Sequence, residues 1–316
     1  MNLNNRRVYY TLFYKCNCLF YLLVLLLFFN YNMKDIEKIA LVIEGGGFKS
    51  VFSAGVLDAF LINKFNPFDI YIGVSSGAMC LSYYVSSQYK SYFSLSKDVS
   101  VNEKFLSYRH ALSEHGYMDL NFLTKYAKKN NPIDFQSIKS STEDKQFYIV
   151  ATNLADGEAV YLEPNKKNFY KCLQATSSLP FFTKGSCEID GVSFMDGAWS
   201  DSIPAKSAAN FGATKIIVIR PNPLGYKVSG LSYLGLVAGY WWKNNHKLRD
   251  VFFKEDIEYN ESVDFLTEKH ENLEILQIFP DNFLKSNVVG TSVEDLTQDY
   301  HAGLEKGMDF LNTYFR

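Results

Sequence analysis

The stretch Ile39-Ala40-Leu41-Val42-Ile43-Glu44-Gly45-Gly46-Gly47-Phe48-Lys49-Ser50 decides the fold. Five apolar residues in a row, without alternation, are what a strand covered on both faces of a parallel sheet requires. Three glycines end the run. From Ser50 to Lys64 the apolar residues Val51, Ala54, Leu57, Phe60 and Leu61 then recur at helical spacing, and Asn66-Pro67 stops that helix. A second strand, Asp69 to Val74, leads into Ser75-Ser76-Gly77 and another helical stretch towards Gln88. Strand, loop and helix, repeated, predict a parallel pair joined by a right-handed crossover, with the loops at the carboxyl ends of both strands side by side.

The remainder continues in the same vein. A helix is expected around Asn121 to Lys129, within a polar and mixed region spanning 90–145. Phe147 to Asn153 and Ala159 to Glu163 read as a hairpin through Asp156-Gly157, and Asp190-Gly191 as a second tight turn between Ser186–Ile189 and Val192–Met195. Lys215 to Ile219 and Leu273 to Ile278 are further buried strands, residues 225–270 are helix-compatible, and Val293 to Tyr314 closes the chain as a helix. With no internal repeat, low-complexity tract or Pro/Gly linker, residues 33–316 read as one α/β domain.

Composition narrows the function classes. At 316 residues and 47% hydrophobic content the chain can bury a sizeable core, which excludes a disordered protein. A formal charge of −2 gives no cationic field for phosphate backbones, so nucleic acid is not expected as a partner. Five cysteines without a C-x-x-C pair form neither a disulfide framework nor a zinc site, and no metal or cofactor is expected.

Residues 1–32 are a separate question. Arg6 and Arg7 precede the apolar run Leu19 to Phe29, which is shorter than the ~20 residues a helical span needs. It reads as an anchor, as a signal without a small-x-small cleavage site, or as a translated stretch ahead of a start at Met33. Localisation is accordingly cytoplasmic or membrane-associated.

Three elements can carry chemistry. Gly73-Val74-Ser75-Ser76-Gly77 stands where a strand gives way to a helix, the setting of a nucleophile elbow, in which a sharp turn lifts the serine hydroxyl above the sheet. Gly45-Gly46-Gly47 stands at the neighbouring junction, and bare peptide can aim N–H groups at a developing oxyanion. Lys49 adds a cation there. Neither G-x-G-x-x-G nor a P-loop fits, since Ser50 and Phe48 occupy the positions of required glycines. Asp196-Gly197-Ala198 follows a strand, and its carboxylate is a candidate base, although Asp-Gly alone is only a turn signal. None of the five histidines, at 110, 115, 246, 270 and 301, lies in a motif. A Ser-Asp-His order through His270 or His301 stays open.

Taken together, G-G-G-x-K, G-x-S-x-G and D-G-A in this order resemble patatin-like phospholipases. Glu44 to Asp58 is similar to the bacterial branch of that family, and Ala175-Thr176-Ser177-Ser178-Leu179-Pro180 is similar to its A-S/T-x-x-x-P element. The resemblance covers roughly Ile39 to Arg220. It implies a three-layer α/β/α fold around a central, mostly parallel sheet. It also implies a lipid acyl hydrolase acting on phospholipid or lysophospholipid esters through a Ser75–Asp196 dyad. By the same resemblance Gly46 and Gly47 are oxyanion donors, Gly45 shapes their loop and Lys49 binds substrate. Lys49 and Ser50 stand where the family more often has Arg and Gly. The alternatives are a catalytically silent lipid-binding protein of the same fold and a histidine-dependent carboxylesterase. Leu224 to Trp242, aromatic and followed by Lys243, Lys247 and Arg249, reads either as a lipid-facing helix or as a helix packed on the sheet. The oligomeric state is left open.

Overall fold

The buried run at Ile39–Ile43 is the centre of a mixed sheet. The structure, a computed structural model, describes residues 37–109, 116–230 and 232–314, so the segment 1–32 and the histidines at 110 and 115 lie outside the described residues. From Lys38 onward the chain forms one compact unit.

The strands are β1 (Ile39–Ile43), β2 (Ile70–Val74), β3 (Gln146–Asn153), β4 (Ala159–Leu162), β5 (Cys187–Ile189), β6 (Val192–Asp196), β7 (Lys215–Ile219) and β8 (Glu274–Ile278). β8, β7, β1, β2 and β3 are mutually parallel neighbours, and β4 and β6 pair with β3 antiparallel. The sheet is therefore mostly parallel, with antiparallel additions at β4 and β6 on β3 and at β5 beyond β6. Both tight turns are where the sequence placed them. Asp190 (φ 50°) and Gly191 (φ 82°) occupy the left-handed conformations of a two-residue hairpin loop between β5 and β6.

Each face of the sheet is covered. Ile39, Leu41 and Ile43 point into a core shared with Val51, Phe52, Phe60 and Tyr300. Ala40 and Val42 point into a smaller core with Ile203, Ala208, Val263 and Leu266. Alternate residues of one strand thus feed two cores, which explains why β1 carries no polar residue at all and makes the fold three-layer α/β/α. The long closing helix Val293–Tyr314 seals the larger layer. Its Phe310 ring lies 5.7 Å from Phe60, and Tyr300 donates to Asp58 Oδ2 at 2.7 Å.

One region holds more helix than expected, and another is helical as expected. The mixed stretch 90–145 contains helices Ser91–Ser100 and Phe135–Ser141 besides the expected one, at Leu120–Asn130. Residues 225–270 form three helices, Tyr233–Trp241, His246–Phe253 and Glu255–Thr267. The first two begin at side-chain caps: Ser232 accepts from the Gly235 N–H and Asn245 from the Leu248 N–H.

Candidate active site

Strand register brings the candidate dyad together. β2 pairs with β3 as far as Val74↔Val150, and β6 pairs with β3 from Phe194↔Asn153 to Asp196↔Ala151. β4 occupies one edge of β3 over Ile149–Thr152, so β2 and β6 share the other. They run towards each other along that edge, and their carboxyl ends meet head-on. Ser75 follows one end and Asp196 terminates the other, 121 residues apart in sequence, with Ser75 Oγ donating to Asp196 Oδ2 at 2.7 Å.

The seam between the two strand ends is closed by Thr176. Its hydroxyl donates to the Val150 carbonyl and accepts from the Ser75 N–H at 2.7 Å. Ser75 itself sits at φ 52° and ψ −130°, a strained conformation for a residue with a side chain, just ahead of the helix Ser76–Val85. The helix N-terminus faces the same point and favours negative charge there. Gly77 is required by close approach, because a Cβ there would lie 2.6 Å from the Glu44 carbonyl oxygen.

The glycine loop borders Ser75. Gly47 adopts φ 59° and its missing Cβ leaves room for the Val288 carbonyl. Its N–H has no acceptor among the described residues, whereas the Gly46 N–H donates to Ser76 Oγ at 3.1 Å. Ser76 Oγ in turn lies 2.7 Å from Ser50 Oγ. Both Gly45–Gly47 and the dyad open onto a cavity of about 430 Å³, otherwise walled largely by apolar side chains such as Met79, Leu95, Phe105, Leu123 and Leu179. A cavity of this size and lining suits an acyl chain.

Asp196 is buried. Burial pushes its carboxyl up from the ordinary 3.8 to about 7, against the opposing pull of hydrogen bonds from the Ala198 N–H and the Ser75 hydroxyl. No lysine, arginine or histidine is among its hydrogen-bond partners.

A second buried acid, Glu44, also lines the cavity. It accepts from Arg220 Nε at 3.0 Å, Asn222 Nδ2 at 3.1 Å and the Tyr259 hydroxyl at 2.9 Å. Arg220 is fully buried at the end of β7, and its remaining donors reach Gln277 and Tyr259. This cluster, which fixes the root of the glycine loop, was not visible in the sequence: its partners are 176 to 215 residues from Glu44. Nor was the role of Thr176, although its motif was. Only the approach of loops at the strand ends could have hinted at either.

Lys49 is the expected site residue that the structure does not bring to the cavity. Lys49 is not among the residues that line the cavity, and its ammonium contacts Asn222 Oδ1 at 3.3 Å, the same Asn222 whose amide donates to Glu44. The histidines of the rival triad are elsewhere. His270 Nε2 contacts the Phe265 carbonyl at 2.9 Å, His301 lies beside Tyr300 on the closing helix, and neither borders the cavity. Among the described residues there is no cluster of His, Cys, Asp and Glu able to hold a metal, and no helix long and apolar enough to cross a membrane.

A serine and a carboxylate in hydrogen-bond contact, placed at the carboxyl ends of strands in a three-layer α/β/α fold, set a broad structural class. The family comparison narrows it: the sequence model of patatin-like phospholipases matches residues 41–209, more than half of the chain. The protein belongs to that lipid hydrolase family. Residues 245–316 match a domain of unknown function (DUF6363). The chain is 29% identical over 286 residues to the uncharacterized protein YjjU of Escherichia coli (strain K12), covering 87% of this chain and 78% of that one. A search of solved structures returns VipD from Legionella pneumophila, at TM-score 0.47 and 11% identity, over 88% of this chain and 67% of that one.

Proposed function

We propose that this protein hydrolyses fatty-acyl esters of phospholipids or lysophospholipids through a covalent acyl-enzyme on Ser75. The observation that carries the reading is the 2.7 Å contact between Ser75 Oγ and a buried Asp196, at the wall of an apolar cavity.

In this reading Asp196 takes the Ser75 proton as Oγ attacks the ester carbonyl, and a tetrahedral intermediate forms. An ordinary aspartate is too weak a base to do this well at neutral pH. One whose carboxyl sits at about 7 is matched to the task. The oxyanion takes the Gly47 N–H directly. It takes that of Gly46 once this amide exchanges its bond to the Ser76 hydroxyl, which keeps its Ser50 partner, for the oxyanion. Collapse expels the alcohol, which leaves with the proton from Asp196. Water gives a proton to Asp196 as it attacks the acyl-Ser75 ester, and Asp196 returns that proton to Ser75 Oγ as the fatty acid leaves. Preorganised donors of this kind are worth about 10²–10³ in rate each. The acyl chain lies along Leu95, Phe105 and Leu123, which keep water from the intermediate.

Ser75→Ala tests the assignment. Hydrolysis of a p-nitrophenyl acyl ester is expected to fall by about 10³-fold or more, with an unchanged circular dichroism spectrum. Appreciable turnover in the folded variant sinks the Ser75 assignment. A wild type that binds lipid and turns over no ester would favour the silent lipid-binding alternative instead. Unchanged rates in His270→Ala and His301→Ala would exclude a histidine base.

A further inference from the structure

The helix Tyr233–Trp241 is turned inside out. Its sequence, YLGLVAGYW, contains no charged residue, and such a helix is ordinarily buried. Here the buried face is formed by its small residues. Gly235 and Gly239 lie against the Phe252 backbone and the Phe253 ring, and Ala238 is fully buried. Four of its large residues face outward: Tyr233 is 82% exposed, Leu236 49%, and Tyr240 and Trp241 71% each. Tyr233, Leu236 and Tyr240 follow one another at helical spacing, so they form a stripe rather than scattered exposures.

The stripe adjoins segments that line the cavity. Phe181, from a different segment, is held at φ 66° and presents its ring edge-on to Trp241 at 6.0 Å. Leu179, two residues before it, and Ser232, the cap of the helix, both line the cavity. Trp242 by contrast turns inward and stacks on Phe252 at 5.3 Å. One cation lies on the apolar surface, Lys243 over the Tyr240 ring at 5.0 Å, and Lys184 and Lys247 are exposed three and six residues after Phe181 and Trp241.

We infer that this face docks the protein on an anionic lipid bilayer, with the cavity mouth opening at the membrane. Tyr and Trp rings suit the headgroup depth, where one end is apolar and the other wet, and lysine stems reach past them to phosphate oxygens. The apolar stripe, its lysines and the adjoining segments that line an acyl-sized cavity all fit that one occupant. The purpose of the surface rests on the hydrolase reading, but its binding does not, and the two can be measured apart.

The test is flotation of the full-length chain with vesicles of phosphatidylcholine, with and without phosphatidylglycerol. Tyr240→Ser/Trp241→Ser is expected to lower vesicle binding about tenfold and to leave hydrolysis of a water-soluble p-nitrophenyl butyrate unchanged. Tyr233→Ser/Leu236→Asn reads the same face should the first pair fail to fold. Undiminished flotation of a folded variant overturns the proposal, since residues 1–32 or another surface would then carry the attachment. So does a change from dimer to monomer on sedimentation with flotation unaltered, which would assign the face to a second copy. If the wild type floats and the variants do not, while no ester is ever cleaved, the docking surface stands and the hydrolase reading falls.

Discussion

Two carboxylates are buried in the wall of the same cavity, and they are held in opposite ways. Glu44, just past β1, is met by a guanidinium, an amide and a phenol. Asp196, at the end of β6, is met by one hydroxyl and one backbone N–H. Burial raises both above the usual carboxylate range, but at Glu44 the Arg220 charge pulls the other way, and Glu44 in turn raises Arg220. Glu44 thus has a permanent counter-charge and Asp196 has none. A buried acid locked to a cation fixes geometry; a buried acid with neutral partners keeps a proton it can exchange near neutral pH.

Replacing each acid by its amide sharpens this contrast, and the largest effect is expected at Asp196→Asn. Turnover should fall about 10³-fold, because the amide cannot accept the Ser75 proton. Stability should move the other way. The unfolded carboxyl ionises near 3.8 while the folded one holds its proton to about 7. The stability associated with this group is therefore fully present below about pH 4 and is lost as pH rises to about 7, by about 4 kcal/mol. Asp196→Asn removes that loss, so its melting temperature should exceed that of the wild type at pH 8 and converge with it at pH 4. In the wild type kcat/KM should rise with pH through about 7. A flat pH–rate profile, or a variant no more stable at pH 8, breaks the contrast.

Glu44→Gln should give the reverse pattern. It leaves the Arg220 guanidinium buried without its counter-charge, which costs about 3–5 kcal/mol in comparable sites. Gln retains an oxygen for Asn222 and Tyr259, so the glycine loop keeps its anchor and turnover per folded molecule should stay within about tenfold. Chemical denaturation read beside initial rates checks both parts. Loss of turnover as deep as at Asp196, with stability intact, would place Glu44 in the chemistry and erase the distinction.

The sequence made one of these acids easier to see than the other, for physical reasons. Asp196 stands in a short motif after a strand, and a strand with its turn is specified locally. The same holds for the elbow at Ser75, the hairpin at Asp190-Gly191 and the buried run of β1. What the sequence could not display was the seam at which β2 and β6 meet, because a strand's text does not say which edge of its neighbour it takes. The Glu44 cluster joins the ends of β1, β7 and β8 with a helix, and no local pattern encodes such a meeting. Residues 225–270 left two readings open for a different reason. Their aromatic content was plain, but only packing distinguishes the inward Trp242 from the outward Trp241.

Lys49 brings the comparison to its smallest expected effect. Sequence position sets it beside the glycines as a substrate-binding cation. Its ammonium instead joins the rim of the Glu44 cluster through a single 3.3 Å contact with Asn222. Asn222 keeps its bonds to Glu44 and Tyr259 without it. Lys49→Ala should therefore change stability by no more than about 0.5 kcal/mol, as for other partly exposed polar contacts, and leave KM for a phospholipid within about twofold. A tenfold rise in KM confined to anionic substrates would mean that the side chain swings over the loop when substrate binds. Lys49 would then belong with Ser75 and Asp196 after all. A small, substrate-independent change leaves it with the anchor.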